Sequence, residues 1–295
     1  MAWEDTFRSW ATAPSVTEQQ KMENAEGAVR KAIDADATLS AMDISVIPQG
    51  SYRSKTNIRQ DSDVDISVCL NSTFYEWYPQ GKTREHYGNI DGSISYVDFR
   101  QLVTSALSKH FGTGNITPGN KAIDIHSNTY RVDADVVPTL AYRHYYGEGT
   151  DDYITGVAFD TSDGRRIVNW PLQTYDNGLA KHNRTGQRFR KMVRIIKKLR
   201  NHMQENAIAE AEDVESFLIE SMVWNAPDDA FGHDTYSSDV RAVLAHCFNE
   251  TLSSGAHGTL CEVNDIKFLF GAHQLWTRER AHAFFSRAWD HVGFE

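Results

Sequence analysis

Two aspartates separated by one apolar residue are the side chains of this sequence best suited to chemistry. Asp63-Val64-Asp65 opens a run, Val64 to Leu70, in which apolar and polar residues alternate as in a β-strand. Side chains two residues apart on a strand point to the same face, so the two carboxylates are expected to lie side by side. Carboxylate oxygens are ligands for hard divalent cations. The pattern therefore predicts a metal site on a strand.

A short Gly50-Ser51 turn precedes these aspartates and follows a predicted strand, Ile44 to Ile47. Such a turn can bring backbone N–H groups and a hydroxyl up to a phosphate. Metal ligands and a phosphate-binding turn within one short segment indicate nucleotidyl transfer.

A second acidic strand is predicted from Tyr130 to Val137, and it contains Asp133 and Asp135 between small or apolar neighbours. Burying several carboxylates without counter-charge would cost several kcal/mol each. Two divalent cations would compensate that charge, and a two-metal site can bind nucleotide phosphates and activate an attacking hydroxyl. Either aspartate of this strand could supply the third ligand.

The remaining pattern predicts a mixed α/β half followed by a helical half, with a boundary near residue 171. Thr17 and Gln20 have the spacing of a capping box at the start of the first helix. Residues 71–92 are predicted to be irregular, and Pro138 is expected to end its strand. The predicted helices are 17–37, 97–110, 185–204, 214–224, 240–252 and 279–289, and the further strands are 122–125, 156–159 and 166–170.

The predicted helix at 185–204 stands out by its charge. Eight cations and no acid occupy residues 184–200, beside an apolar stripe at helical spacing. The eight are Arg184, Arg188, Arg190, Lys191, Arg194, Lys197, Lys198 and Arg200. They form either a solvated helix face or a clamp for a triphosphate.

Composition limits the other classes of function. The net charge of −10 argues against a protein built to coat nucleic acid, so direct activation by DNA or RNA is not expected. Three scattered cysteines fit a reducing, cytoplasmic location and show no zinc spacing. The sequence shows no secretory signal and no apolar run of bilayer length, so no membrane association is expected.

These motifs resemble the cGAS/DncV-like nucleotidyltransferases (CD-NTases) of bacterial antiphage signalling, within the polymerase-β-like nucleotidyltransferase superfamily, and the chain is similar to clade E. The matches cover about residues 17–230. They are Gln49-Gly50-Ser51-Tyr52, Asp61-Ser62-Asp63-Val64-Asp65, Asp135-Val136-Val137-Pro138, and Ser216-Phe217-Leu218-Ile219-Glu220 leading to Trp224-Asn225-Ala226-Pro227.

The resemblance implies an α+β fold: a polymerase-β-like core with a mixed sheet and flanking helices (1–170, including the N-terminal helix), and a C-terminal helical domain (171–295), two-lobed with a central cleft. It also implies that Asp135 is the third carboxylate, with Asp133 as the fallback. The implied catalytic and metal ligands are Asp63, Asp65 and Asp135, and the implied nucleotide-binding residues are Gln49, Gly50, Ser51, Lys181, Lys197 or Lys198, Ser216 and Phe217.

The implied function is metal-dependent synthesis of a cyclic di- or trinucleotide second messenger from nucleoside triphosphates, with Mg²⁺ or Mn²⁺ as two ions per site. Pyrophosphate would be released, and a separate downstream effector would be reached through the diffusible product. The alternative is an enzyme of the same superfamily with another acceptor: a linear oligonucleotide, an RNA end, a protein or a small molecule. A non-catalytic module predicts loss of one or more carboxylates, and all three are present.

Overall fold

The computed structural model describes residues 3–58, 63–252, 259–272 and 274–295. Two residues of the matched motif, Asp61 and Ser62, lie outside these ranges. The chain forms two compact units: a sheet unit of Ser15–Tyr52 and Ser62–Pro171, and a helical unit of Met1–Pro14, Arg53–Asp61 and Leu172–Glu295. The predicted contiguous domains, 1–170 and 171–295, differ from these units in the placement of residues 1–14, 53–61 and 171.

The sheet unit contains a seven-stranded mixed sheet in the order β1-β2-β5-β4-β3, with β6 pairing with both β5 and β7. Among the strands of the described residues, β2 and β5 are the one parallel pair, and the other pairs are antiparallel. The strands are β1 (Ile44–Pro48), β2 (Val64–Trp77), β3 (Ile116–Pro118), β4 (Ile123–Ile125), β5 (Ala134–Tyr145), β6 (Tyr153–Asp160) and β7 (Arg166–Asn169).

Helices α2 (Val16–Asp34) and α4 (Tyr96–Phe111) contribute buried side chains to the same apolar cluster as β2 and β5, and the short α3 spans Gly50–Ser54. The capping box of α2 is formed by Ser15 and Glu18, so the prediction of Thr17 and Gln20 was wrong. Glu18 reaches back to the Ser15 N–H, so the capping residue lies two residues earlier than expected and the helix begins at Val16.

Strand β2 is twice as long as predicted. It continues through residues 71–77, which were expected to be irregular, and its pairing with β5 shifts register between Leu70 and Phe74. The irregular composition of this stretch therefore marks an interruption of the ladder, after which the two strands pair again.

Pro138 does not end its strand, because β5 runs on to Tyr145. On one edge of β5, β4 pairs with residues 134–136 and β6 with residues 140–145. Pro138 lies between these two partners, where the missing N–H of proline leaves no ladder bond broken on that edge. The prediction assumed that proline ends a strand. The sequence does not show that β4 and β6 leave Pro138 unpaired on this edge.

The helical unit consists of α1 (Glu4–Trp10), α5 (Pro171–Arg184), α6 (Phe189–Glu205), α7 (Ser216–Asn225), α8 (Tyr236–Thr251) and α9 (Arg278–Val292). The basic helix predicted from residue 185 begins at Phe189, and residues 171–184 form the separate helix α5. The apolar stripe of α6, from Met192 to Met203, is fully buried in the core of this unit. None of the helices in the described part of the chain has the length and apolarity that crossing a bilayer requires.

Candidate active site

The sheet places the predicted carboxylates on neighbouring strands. Asp65 of β2 and Asp135 of β5 are paired residues of the parallel ladder. Val64, Ile66 and Val136, which alternate with them, are fully buried in the apolar core. Alternation therefore directs Asp65 and Asp135 to the opposite face of the sheet, together with Asp63 two residues earlier.

The electrostatics agree with this proximity. Burial, and then the neighbouring carboxylates of Asp135 and Asp63, raise the pKa of Asp65 to about 6. Burial, and then the carboxylates of Asp124 and Asp63, also raise the pKa of Asp135. These shifts arise first from burial and then from negative charges that share one face of the sheet.

Asp124 belongs to this acidic face and was missed by the sequence analysis. It is paired with Asp135 in the antiparallel ladder between β4 and β5. Its signal in the sequence was an acid between two apolar residues, Ile123 and Ile125, the same pattern that singled out Asp65.

Asp133, the fallback third ligand, already has a partner in a turn. Its carboxylate accepts a hydrogen bond of 2.6 Å from the backbone N–H of Ser127. Asp135 shows no such bond among the described residues, and burial, followed by the neighbouring carboxylates, raises its pKa. Asp135 is therefore the better candidate for the third ligand.

The Gly50-Ser51 turn lies directly beside Asp65. The Gln49 N–H donates to the Asp65 carbonyl at 2.8 Å. Gly50 adopts a left-handed φ of 61°, and a Cβ atom at this position would overlap the Asp65 carboxylate. Glycine is thus required both by the backbone conformation and by the close approach of the carboxylate. The predicted phosphate-binding turn, which forms the start of α3, therefore meets the predicted metal-binding strand at this point.

The predicted residues of the helical unit form two groups. Lys197 of α6 is buried and lies 3.2 Å from the Glu220 carboxylate of α7. Ser216 begins α7, one turn before Glu220, and its hydroxyl accepts a hydrogen bond of 3.2 Å from Arg200. One helical turn separates residues on one face, so Ser216 lies on the side of α7 that meets Lys197.

Lys198 and Phe217 are half-buried neighbours of that pair. Lys181 lies elsewhere in the unit, where its ammonium pairs with Asp228 at 2.6 Å and also donates to the Ala226 carbonyl. Burial lowers the pKa of Lys181, and Asp228 opposes this shift. The contacts of Lys181 therefore hold the segment that follows α7.

The acidic face fits a divalent cation by its chemistry. All its candidate ligands are carboxylate oxygens, and burial, followed by neighbouring carboxylates, raises the pKa values of Asp65 and Asp135. Among the described residues, no three Asp, Glu, His or Cys side chains are arranged closely enough to form a complete metal site. The ladder register nevertheless places Asp65 beside Asp135 whatever rotamers their side chains adopt.

Comparison with known proteins identifies the family. Residues 176–293 match the model of the cGAS/DncV-like nucleotidyltransferase C-terminal helical domain. Over 292 residues, the chain is 41% identical to the cyclic dipyrimidine nucleotide synthase CdnE of Legionella pneumophila, covering 98% of both chains. It is 36% identical over 292 residues to the enzyme of the same name from Cecembia lonarensis, covering 99% of this chain and 98% of the relative.

The fold also matches solved structures. The Rhodothermus marinus CdnE c-UMP-AMP synthase, solved with Apcpp and Upnpp, superposes with a TM-score of 0.86 at 28% identity, covering 99% of this chain and 98% of that one. The sequence identity, the fold and the acidic face therefore all indicate the same family. The chain belongs to the cGAS/DncV-like nucleotidyltransferases, and its relatives in that family are CdnE cyclic nucleotide synthases.

Proposed function

We propose that this protein joins two pyrimidine nucleoside triphosphates into a cyclic dinucleotide and releases one pyrophosphate for each bond formed. The observation that carries the proposal is the pairing of Asp65 with Asp135 directly beside the Gly50 turn. Pyrimidine use is supported by two relatives that are 41% and 36% identical over nearly the whole chain, both named cyclic dipyrimidine nucleotide synthases.

Asp63, Asp65 and Asp135 would hold two Mg²⁺ or Mn²⁺ ions. Ions bound there would neutralise phosphate charge and lower the pKa of the attacking ribose hydroxyl. The carboxylates would accept that proton and orient the hydroxyl for in-line attack on the α-phosphate. Gln49, Gly50 and Ser51 would bind the phosphates through backbone N–H groups and the serine hydroxyl.

The helical unit would contribute the remaining nucleotide contacts. Lys197 or Lys198 would bind the triphosphate, together with the Ser216 hydroxyl one turn before Glu220. Phe217 would stack on a base through its aromatic ring. Lys181 would contribute indirectly, because its ammonium binds the Ala226 carbonyl and the Asp228 carboxylate and so fixes the segment after α7. The product would act as a second messenger in antiphage defence, read by a separate effector.

The test is product analysis with all four ribonucleoside triphosphates, singly and in pairs, in the presence of Mg²⁺. We expect UTP and CTP to give a phosphatase-resistant product whose mass is that of a cyclic dipyrimidine dinucleotide. A product containing only purines would overturn the base assignment. Phosphatase-sensitive linear products, or nucleotide transferred to RNA or protein, would overturn cyclisation.

A pair of variants tests the site assignment. The double substitution Asp63→Asn and Asp65→Asn should abolish the product while circular dichroism shows an intact fold. Asp151→Asn, on an exposed turn of the same unit, is the matched control and should retain full activity. Unchanged synthesis by the double variant would contradict the assignment.

A further inference from the structure

A buried polar network joins α6, α7 and the segment after α3. The Thr56 hydroxyl donates to Glu220 Oε2 at 2.6 Å, and the Lys197 ammonium lies 3.2 Å from the same oxygen. Lys197 also approaches the Thr56 carbonyl at 3.4 Å and its hydroxyl at 3.3 Å. All three side chains are almost completely buried, Thr56 at 0% exposure. One oxygen of Glu220 is thus shared by a hydroxyl and a cation.

A second buried cation holds the preceding residue. Arg194, one helical turn before Lys197, donates from Nη1 to the Lys55 carbonyl at 2.7 Å. Its Nε and Nη2 donate to the Ala11 carbonyl at 2.9 and 2.8 Å. Lys55 has a left-handed φ of 57°, which is unfavourable for a residue with a Cβ. The main chain at residues 55 and 56 is therefore held from α6 in a conformation that it would not favour alone.

The segment that contains residues 55 and 56 lies, in the sequence, between the two parts of the sheet unit. Residues 53–61 belong to the helical unit, while the residues before and after them belong to the sheet unit. Ser51 lies five residues before Thr56, and Asp63 lies seven residues after it. The contacts of Arg194, Lys197 and Glu220 therefore hold residues 55 and 56, which lie in the sequence between the Gly50-Ser51 turn and the strand that begins at Val64.

Stability alone is a poor reason for such an arrangement. Burying an ion pair costs desolvation that its attraction often fails to repay, and apolar side chains of similar volume are commonly as stable. Charged groups with fully used hydrogen bonds do give a fixed geometry, because each bond specifies a distance and a direction. The network is thus better suited to fixing the place of a backbone segment than to adding stability.

We propose that Thr56 and Glu220 are positioning residues for nucleotidyl transfer: they fix residues 55–58 and thereby the approach of the Gly50-Ser51 turn to Asp65. This inference rests on the proposed function. It assigns neither residue a contact with substrate. Lys197 is excluded from the test because the proposed function places it near the triphosphate.

The test compares the full-length protein with Thr56→Val, Thr56→Ser and Glu220→Gln. Valine keeps the shape of threonine without its hydroxyl, whereas serine keeps the hydroxyl. We expect Thr56→Val and Glu220→Gln to lower kcat for cyclic product by at least about tenfold, with KM for the nucleotide changed less than about threefold. Thr56→Ser should recover most of the lost kcat.

Thr251→Val is the matched control. Thr251 is a buried threonine of the same unit, and its hydroxyl donates to the Cys247 carbonyl within α8. Its substitution should lower Tm to a similar extent without lowering kcat of the folded protein. Equal losses of kcat in Thr251→Val and Thr56→Val would show a general effect of stability and overturn the proposal, as would wild-type kcat in both Thr56→Val and Glu220→Gln.

Amide hydrogen exchange gives a readout that needs no product. Thr56→Val should increase exchange by at least about tenfold at residues 50–58 relative to wild type, and Thr251→Val should not. An inactive wild-type protein would refute the proposed function, while exchange would still decide whether Thr56 fixes this segment. Unchanged exchange in Thr56→Val would refute the positioning role.

Discussion

Asp65 carries its charge where burial and two neighbouring carboxylates all oppose it. An acid whose pKa is raised on folding binds more protons in the folded than in the unfolded state near pH 5. Stability therefore falls as pH rises from about 4 to about 6 and stays reduced above that range. A group that weakens the folded protein in this way is typical of a functional site.

Replacing Asp65 by asparagine should separate stability from function. We expect Asp65→Asn to abolish nucleotidyl transfer and to raise the free energy of unfolding at pH 7, without metal, by about 1–2 kcal/mol, because it removes a buried charge and its repulsion by Asp135 and Asp63. This gain should shrink as pH falls from about 6 to about 4. Urea unfolding at pH 7 and pH 4.5, with Asp151→Asn as control, measures both effects. A variant less stable than wild type at pH 7 would contradict this account.

Gly50 can be tested by a single methyl group. Gly50→Ala places a Cβ against the Asp65 carboxylate and keeps a left-handed φ that costs about 1 kcal/mol. We expect at least a hundredfold loss of synthesis, since the carboxylate must move. Gly27→Ala is the matched control: this glycine lies within α2 with no atom near its added methyl group, so it should stabilise the protein by up to about 1 kcal/mol. Full activity in Gly50→Ala would disprove the close approach.

At the scale of elements, periodicity predicted the segments that pack one continuous apolar face against the core. The buried stripe of α6 and the alternation of β2 both follow from one apolar face. The errors at Pro138 and at residues 71–77 have another cause, since each depends on which strand lies alongside. The strands that pair with these residues are distant in the sequence, and the pattern of one segment does not identify them. Asp124 was missed for the same reason, because its importance comes from pairing with Asp135.

The start of α2 is a test at this scale, because sequence and structure name different capping residues. Ser15→Ala should lower the free energy of unfolding by about 1 kcal/mol, since the Glu18 N–H loses its acceptor. Thr17→Ala should change it by less than about 0.5 kcal/mol, because Thr17 lies inside the helix. Urea unfolding followed by circular dichroism compares the two. A larger loss in Thr17→Ala would favour the original assignment.

At the scale of the whole molecule, the chain builds its helical unit from three separate segments. The first fourteen residues belong to this unit, although residues 15–52 belong to the sheet unit. No helix is predicted from the sequence at these residues, although Trp3, Phe7 and Trp10 recur at helical spacing. Helix α1 joins this unit through the buried ring of Phe7 and through the Glu4 carboxylate, which accepts from the Ser237 N–H at 2.8 Å.

Phe7 makes the dependence of the helical unit on its first helix measurable. Its ring is fully buried in the core of that unit and stacks on Trp3 at 5.6 Å between ring centroids. We expect Phe7→Ala to lower the free energy of unfolding by about 3–5 kcal/mol, the usual effect of a large cavity. Leu275→Ala, at a residue 71% exposed in the same unit, should change it by less than about 0.5 kcal/mol. Tryptophan fluorescence during urea unfolding compares the two variants. An equally small effect of both would mean that α1 is dispensable to the core, and α1 would then have to be assigned outside the helical unit.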